Sequence, residues 1–126
     1  GLDWAEDVVK TTLSEVSADK LILGVPFYVR IWQEKDGKVV KSSAVSMDYA
    51  KKTVSENGAN VRYDAKIGQN IYTWSDGEYD YKIYMEDETS IKNKISLVGK
   101  YSLAGVASWR RGFESADIWQ VIKDGI

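Results

Sequence analysis

Two kinds of apolar pattern run along this chain. Lys20 to Val25, KLILGV, is a continuous apolar run with one glycine, which reads as a strand buried on both faces in the manner of a parallel sheet. Ser102 to Ser108, SLAGVAS, is a second such run, short enough to be a central parallel strand and ending at Trp109. Around them the spacing is helical. Trp4, Val8, Thr12 or Leu13, and Val16 predict a helix over about residues 4–16, with Asp3 as N-cap and Glu6 completing a capping-box pattern. Asp87 is placed to cap another helix, with Ile91, Ile95 and Val98 on one face and Lys92, Lys94 and Lys100 elsewhere. Glu114 or Ser115 opens a last helix carrying Ile118, Trp119 and Ile122.

Residues 33–88 have a different character. Asp36-Gly37 is a hairpin signal, and Val39 to Ser43 follows as a short strand. Ser46 caps a helix reaching about Glu56, and Asn57-Gly58 supplies the left-handed stop. Asn60 to Asp64, Ile71 to Trp74 and Tyr79 to Met85 read as strands, the last alternating aromatic and polar residues. The order is helix, buried strand, small α+β unit, helix, buried strand, helix. Two buried strands, each followed by a helix, predict βα units of a parallel sheet, an α/β class. Two such strands leave open edges, which predicts pairing with further strands or with a second copy of the chain.

Pro26, the only proline, closes the first apolar run, and since it cannot donate to a ladder the strand is expected to emerge there at a rim. Phe27, Tyr28, Arg30 and Trp32 emerge with it. Three aromatics and a guanidinium at a strand end suit a ligand face; they equally suit an edge of core aromatics with a solvated arginine.

Composition narrows the chemistry. The chain has 126 residues, 44% of them hydrophobic, with five tryptophans, which is enough for one domain with a real core. Seventeen basic against 19 acidic residues give a net charge of −2, which argues against a nucleic-acid binder. No stretch approaches the length of a membrane span, and no signal-peptide pattern opens the chain, which begins at Gly1 and reads as a processed or trimmed piece. There is no cysteine and no histidine. Disulfides, thiolate zinc sites and histidine-based catalytic sets are therefore outside its repertoire, and neither a metal nor a cofactor is expected.

The two buried runs with their rims, KLILGVPFYVR and LAGVASW, together with the stretch IYMEDETSIKNK from Ile83 to Lys94, resemble the last two barrel strands and the post-insertion junction of family 18 glycoside hydrolases, the chitinase-like and spore peptidoglycan hydrolase-like enzymes. The resemblance implies a partial TIM (β/α)8 barrel. Residues 1–32 and 89–126 would be its C-terminal βα units, and residues 33–88 the α+β insertion between the seventh strand and seventh helix. Such barrels take about 250 residues, so the chain would be a C-terminal segment that needs the N-terminal part of the barrel as its partner. The family's D-x-x-D-x-D-x-E signature and its Met-x-Tyr-Asp signature are absent, so no catalytic residue is expected in this chain.

By the same resemblance, Trp109 corresponds to the tryptophan that floors the sugar site. Tyr28 and Arg30 correspond to the Tyr-Gly-Arg after the seventh strand, with Val29 in place of the glycine. They are expected to contact substrate or a neighbouring carboxylate. Trp32, Tyr72 and Trp74 are candidates for the wall built by the insertion, with core packing as the alternative. Glu86 and Asp87 read as structural, and Arg110 and Arg111 as a solvated pair or contacts for acidic glycan groups. The implied ligand is an N-acetylglucosamine-containing glycan, chitin or peptidoglycan, hydrolysed by substrate-assisted retention in a parent that is extracellular, cell-wall or spore-associated. A non-catalytic carbohydrate-binding module is the other reading.

Overall fold

The computed structural model describes residues 1–126. Its elements are α1 (Leu2–Leu13), β1 (Ile22–Pro26), β2 (Val29–Lys35), β3 (Lys38–Val45), α2 (Met47–Glu56), β4 (Asn60–Asp64), β5 (Gln69–Ser75), β6 (Asp80–Tyr84), α3 (Glu88–Lys100), β7 (Gly105–Trp109) and α4 (Ile118–Gly125), with a 3-10 turn over Ala18–Lys20. β1 and β7 pair in parallel, Ile22 opposite Gly105 through Pro26 opposite Trp109. The other five strands form an antiparallel sheet in the order β3-β2-β6-β5-β4. Val29 to Trp32 thus belong to this second sheet, and a boundary at residue 32 falls inside β2.

Local signals explain most element ends. Asp36 and Gly37 both take positive φ, 51° and 73°, which closes the two-residue turn between β2 and β3. Ser46 Oγ accepts the Tyr49 N–H at 3.2 Å to start α2. At its end Gly58, with φ 56°, donates to the Ser55 carbonyl while Ala59 donates to that of Val54, the paired bonds of a Schellman stop. Asp87 and Ser90 exchange side-chain and backbone hydrogen bonds at 3.0 Å, a complete capping box for α3.

Three expectations do not hold at this level. The cap of α1 is Gly1, without a side-chain bond, and Asp3 lies in the first turn. The helix faces inward through Val9, which packs with Val98 and Leu103, whereas Trp4 is 69% exposed and Val8 is exposed. The last helix is capped at Asp117 rather than at Glu114 or Ser115. Nor is β1 covered on both sides. Leu23 and Val25 point toward the helices, but Ile22 is 57% exposed, because nothing in this chain lies across the opposite face of β1 and β7.

A single core joins the two sheets. Val25 of β1, Phe27, Val29 of β2, and Ile83 and Met85 at β6 pack with Ile91 and Ile95 of α3, Ile118 and Ile122 of α4, and Met47, Ala50 and Val54 of α2. Phe27 is fully buried, meets the Trp119 ring edge-on at 5.3 Å, and donates its N–H to the Trp109 carbonyl at 2.7 Å.

A buried polar cluster fastens the five-stranded sheet to α3. The Glu86 carboxylate accepts from Lys94 Nζ, from Ser90 Oγ at 2.7 Å and from Gln69 Nε2 at 3.0 Å, and all four residues are buried. Lys94, expected away from the apolar face of its helix, therefore points inward to a charge partner. Removing one member of a buried pair strands the other, so Lys94→Ala should lower unfolding free energy by about 3–5 kcal/mol, read from urea denaturation. Lys94→Met combined with Glu86→Gln should recover most of that loss.

Candidate functional site

Strict alternation places the candidate residues. From Leu23 to Ile31 the odd-numbered residues point into the core, and Tyr28 and Arg30 point out. Trp32 lies on the same outer face of β2, since it pairs with Ser42 on one side and Lys82 on the other. Arg30 Nη1 donates to Ser42 Oγ at 3.0 Å, and the guanidinium lies 6.0 Å from the centre of the Trp32 ring. Trp109 ends β7 opposite Pro26 and is 71% exposed, because it faces the uncovered side of the parallel pair.

These side chains border three hollows that meet at Tyr28 and together make up a groove. Gly24, Pro26, Ala107 and Ser108 form its floor beside Trp109 and Tyr28. Tyr28 and Arg30 then share a hollow with Trp109, Ala44, Arg110 and Phe113. On their other side they share a second hollow with Trp32, Tyr84, Gln69 and Glu86. The structure therefore brings Trp109, Tyr28, Arg30 and Trp32 to one surface.

Trp74 is not part of it. Thr73, not Trp74, is the β5 residue in line with Lys82 and Trp32, so Trp74 stands on the opposite face of the sheet. There it stacks on Tyr81, with ring centres 5.1 Å apart and planes 5° from parallel, and packs against the core with Tyr72. The one-residue offset decides this, and it favours core packing for both Tyr72 and Trp74.

Tyr84 and Phe113 were not singled out from sequence. Tyr84 was legible: it alternates outward with Lys82 along β6, opposite Ile83 and Met85. Phe113 was not, because it sits in an irregular segment and owes its place to the Met47 N–H bonding its carbonyl at 2.8 Å. No group of three or more acidic side chains stands close enough to hold a metal ion. What the groove presents is ring faces, hydroxyls, two guanidiniums and, in the hollow beside Trp32, the Gln69 amide and the Glu86 carboxylate.

The family model for glycosyl hydrolases family 18 matches residues 2–114. The chain belongs to glycosyl hydrolase family 18. A glycosylase of Bacillus subtilis, YvbX, is 25% identical over 98% of this chain and 36% of its own length. The cortical fragment-lytic enzyme of the same organism is 26% identical over 94% of this chain and 28% of its own. The chitinase of Chromobacterium violaceum superposes with a TM-score of 0.89 at 25% identity, covering 99% of this chain and 38% of the chitinase. The chain thus spans about a third of the length of the relatives it matches. In this family 18 segment, β1 and β7 are strands of a (β/α)8 barrel, and the five-stranded sheet with α2 is its α+β insertion.

Trp109 and Phe27 are both large aromatics at the joint of the two sheets, yet only Phe27 is buried. Trp109→Ala should shift stability by no more than about 0.5 kcal/mol, as exposed substitutions do. Phe27→Ala should cost about 3–5 kcal/mol through the cavity it leaves. Paired urea-denaturation curves check both.

Proposed function

We propose that this chain is the C-terminal segment of a glycosidase that cleaves N-acetylglucosamine-containing polysaccharide, chitin or peptidoglycan, by substrate-assisted retaining hydrolysis. In this reading the segment supplies walls of the substrate cleft, and the acid that protonates the leaving oxygen lies on a part of the barrel outside it. The observation that carries the reading is the exposed Trp109 indole next to the Tyr28 hydroxyl and the Arg30 guanidinium. An indole face matches the apolar C–H face of a pyranose, so Trp109 would carry the sugar ring. Tyr28 and Arg30 would donate to its hydroxyl or acetamido oxygens, and Trp32 with Tyr84 would extend the wall for neighbouring units.

The unpaired outer edges of β1 and β7 and the bare apolar positions Ile22, Trp4 and Val8 are where the remaining barrel strands and helices would dock. A second copy would take that place when the segment stands alone. The names of the Bacillus relatives support an extracellular, cell-wall or spore-associated parent. The second reading, a carbohydrate-binding module without catalysis, draws on the same groove, whose one carboxylate, Glu86, is engaged by Lys94, Ser90 and Gln69.

The 126 residues alone should release no product from chitooligosaccharides, while the full-length protein that contains them should. Turnover by the segment itself would refute the placement of the acid outside it. Titration of the full-length protein with chitotetraose should give saturable heat that Trp109→Ala abolishes. Saturable binding with no turnover by the full-length protein would favour the binding module, and a flat titration would remove both readings.

A further inference from the structure

Two arginines beside Trp109 form no ion pair: Arg30 also borders the hollow of Glu86, but that carboxylate is taken up by Lys94, Ser90 and Gln69. Arg30 and Arg110 line the same hollow, with Tyr28, Ala44, Trp109 and Phe113 completing it, and none of these is a carboxylate. The nine ion pairs of the chain all lie elsewhere and involve neither arginine. The neighbours that hold them are neutral. Arg30 donates one N–H to Ser42 Oγ, and the Arg110 guanidinium stands 4.5 Å over the Phe113 ring. Stacking and a single hydrogen bond orient these two planar groups and leave most of their donors free. This local excess of positive charge occurs in a chain whose net charge is −2.

The other side of Trp109 differs. The floor there is Gly24, Pro26, Ala107 and Ser108, all uncharged. A sugar seated on the indole would thus meet a neutral surface on one side and two guanidiniums on the other. A forked guanidinium matches a carboxylate in geometry and charge, and two of them border this hollow. We propose that the Arg30–Arg110 hollow is a carboxylate subsite that makes the groove prefer N-acetylated amino sugars bearing a carboxylate, on an ether-linked lactyl group or on a peptide attached to it, over neutral chitin. This rests on the reading that Trp109 carries a sugar ring.

The test is calorimetric, on the full-length protein that carries this chain. The probes are the N-acetylglucosamine–N-acetylmuramic acid disaccharide with its free lactyl carboxylate, the same disaccharide as the carboxamide, its L-alanyl-D-glutamyl derivative, and chitobiose. The carboxylate form should bind at least about tenfold tighter than the carboxamide, the scale of hydrogen bonds to a charged partner. Arg110→Gln should bring that ratio close to one, and Arg110→Lys should keep part of it. The ratio is internal to each variant, so partial misfolding does not mimic the result. A tighter free disaccharide assigns the lactyl carboxylate as the ligand; a tighter dipeptide form assigns the peptide carboxylates. Equal affinity for the carboxylate, carboxamide and dipeptide forms, with chitobiose still bound, overturns the subsite and leaves the glycan reading intact. No binding of any probe overturns both.

Discussion

The structure depends on one alternation that runs unbroken through the junction of two sheets. Leu23, Val25, Phe27, Val29 and Ile31 turn inward, while Ile22, Gly24, Tyr28, Arg30 and Trp32 turn outward, although β1 ends at Pro26 and β2 begins at Val29. A strand can change sheets only if its side-chain parity survives the passage, since a slip of one residue would send Phe27 to solvent and Tyr28 into the core. The Phe27 N–H bond to the Trp109 carbonyl, in the position directly after a residue that cannot donate, holds the register at that point. One constraint therefore builds the shared core and sets out the groove.

A second constraint acts at the other end of the insertion. β6 runs into α3 through Met85, Glu86 and Asp87, all buried, and a buried carboxylate is tolerable there only because Lys94, Ser90 and Gln69 satisfy it. The three donors come from β5 and α3, so the cluster ties the sheet to the helix that packs under the parallel pair. Together the Phe27 joint and the Glu86 cluster make the outer face of the insertion a rigid continuation of the β7 end, and so relate Tyr28, Arg30 and Trp32 to Trp109.

The surface follows the same division. The core side of each sheet is closed by helices from this chain, whereas the opposite side of β1 and β7 carries exposed Ile22 and Trp109 next to exposed Trp4 and Val8. Membership of family 18 explains why apolar side chains stand bare there, since these strands are two of eight in a barrel whose interior is filled by side chains from all of them. The charged part of the groove, Arg30 and Arg110, lies instead at the strand ends, where loops and the insertion meet.

Much of this was legible in the residues. Turn and cap chemistry marked Asp36-Gly37, Ser46, Asn57-Gly58 and Asp87, because those signals act within four residues of chain. The two apolar runs marked β1 and β7, and the order of elements marked the family. Trp109, Tyr28, Arg30 and Trp32 were singled out as candidates because they follow those runs and match the family pattern, and the fold sets them around one surface. What sequence could not supply was the partner of each face. Lys94 is inward because Glu86, buried in the link before α3, stands to one side of it with Gln69 of β5, Trp74 is off the groove because β5 registers with β6 through Thr73, and Trp4 is bare because this chain has nothing to lay across it. Local conformational preference is written residue by residue, so the sequence by itself determined the elements and most of their ends, though not the starts of α1 and α4. Which side of each element meets core, groove or solvent depends on contacts between segments far apart in the chain, and only the tertiary structure decided that.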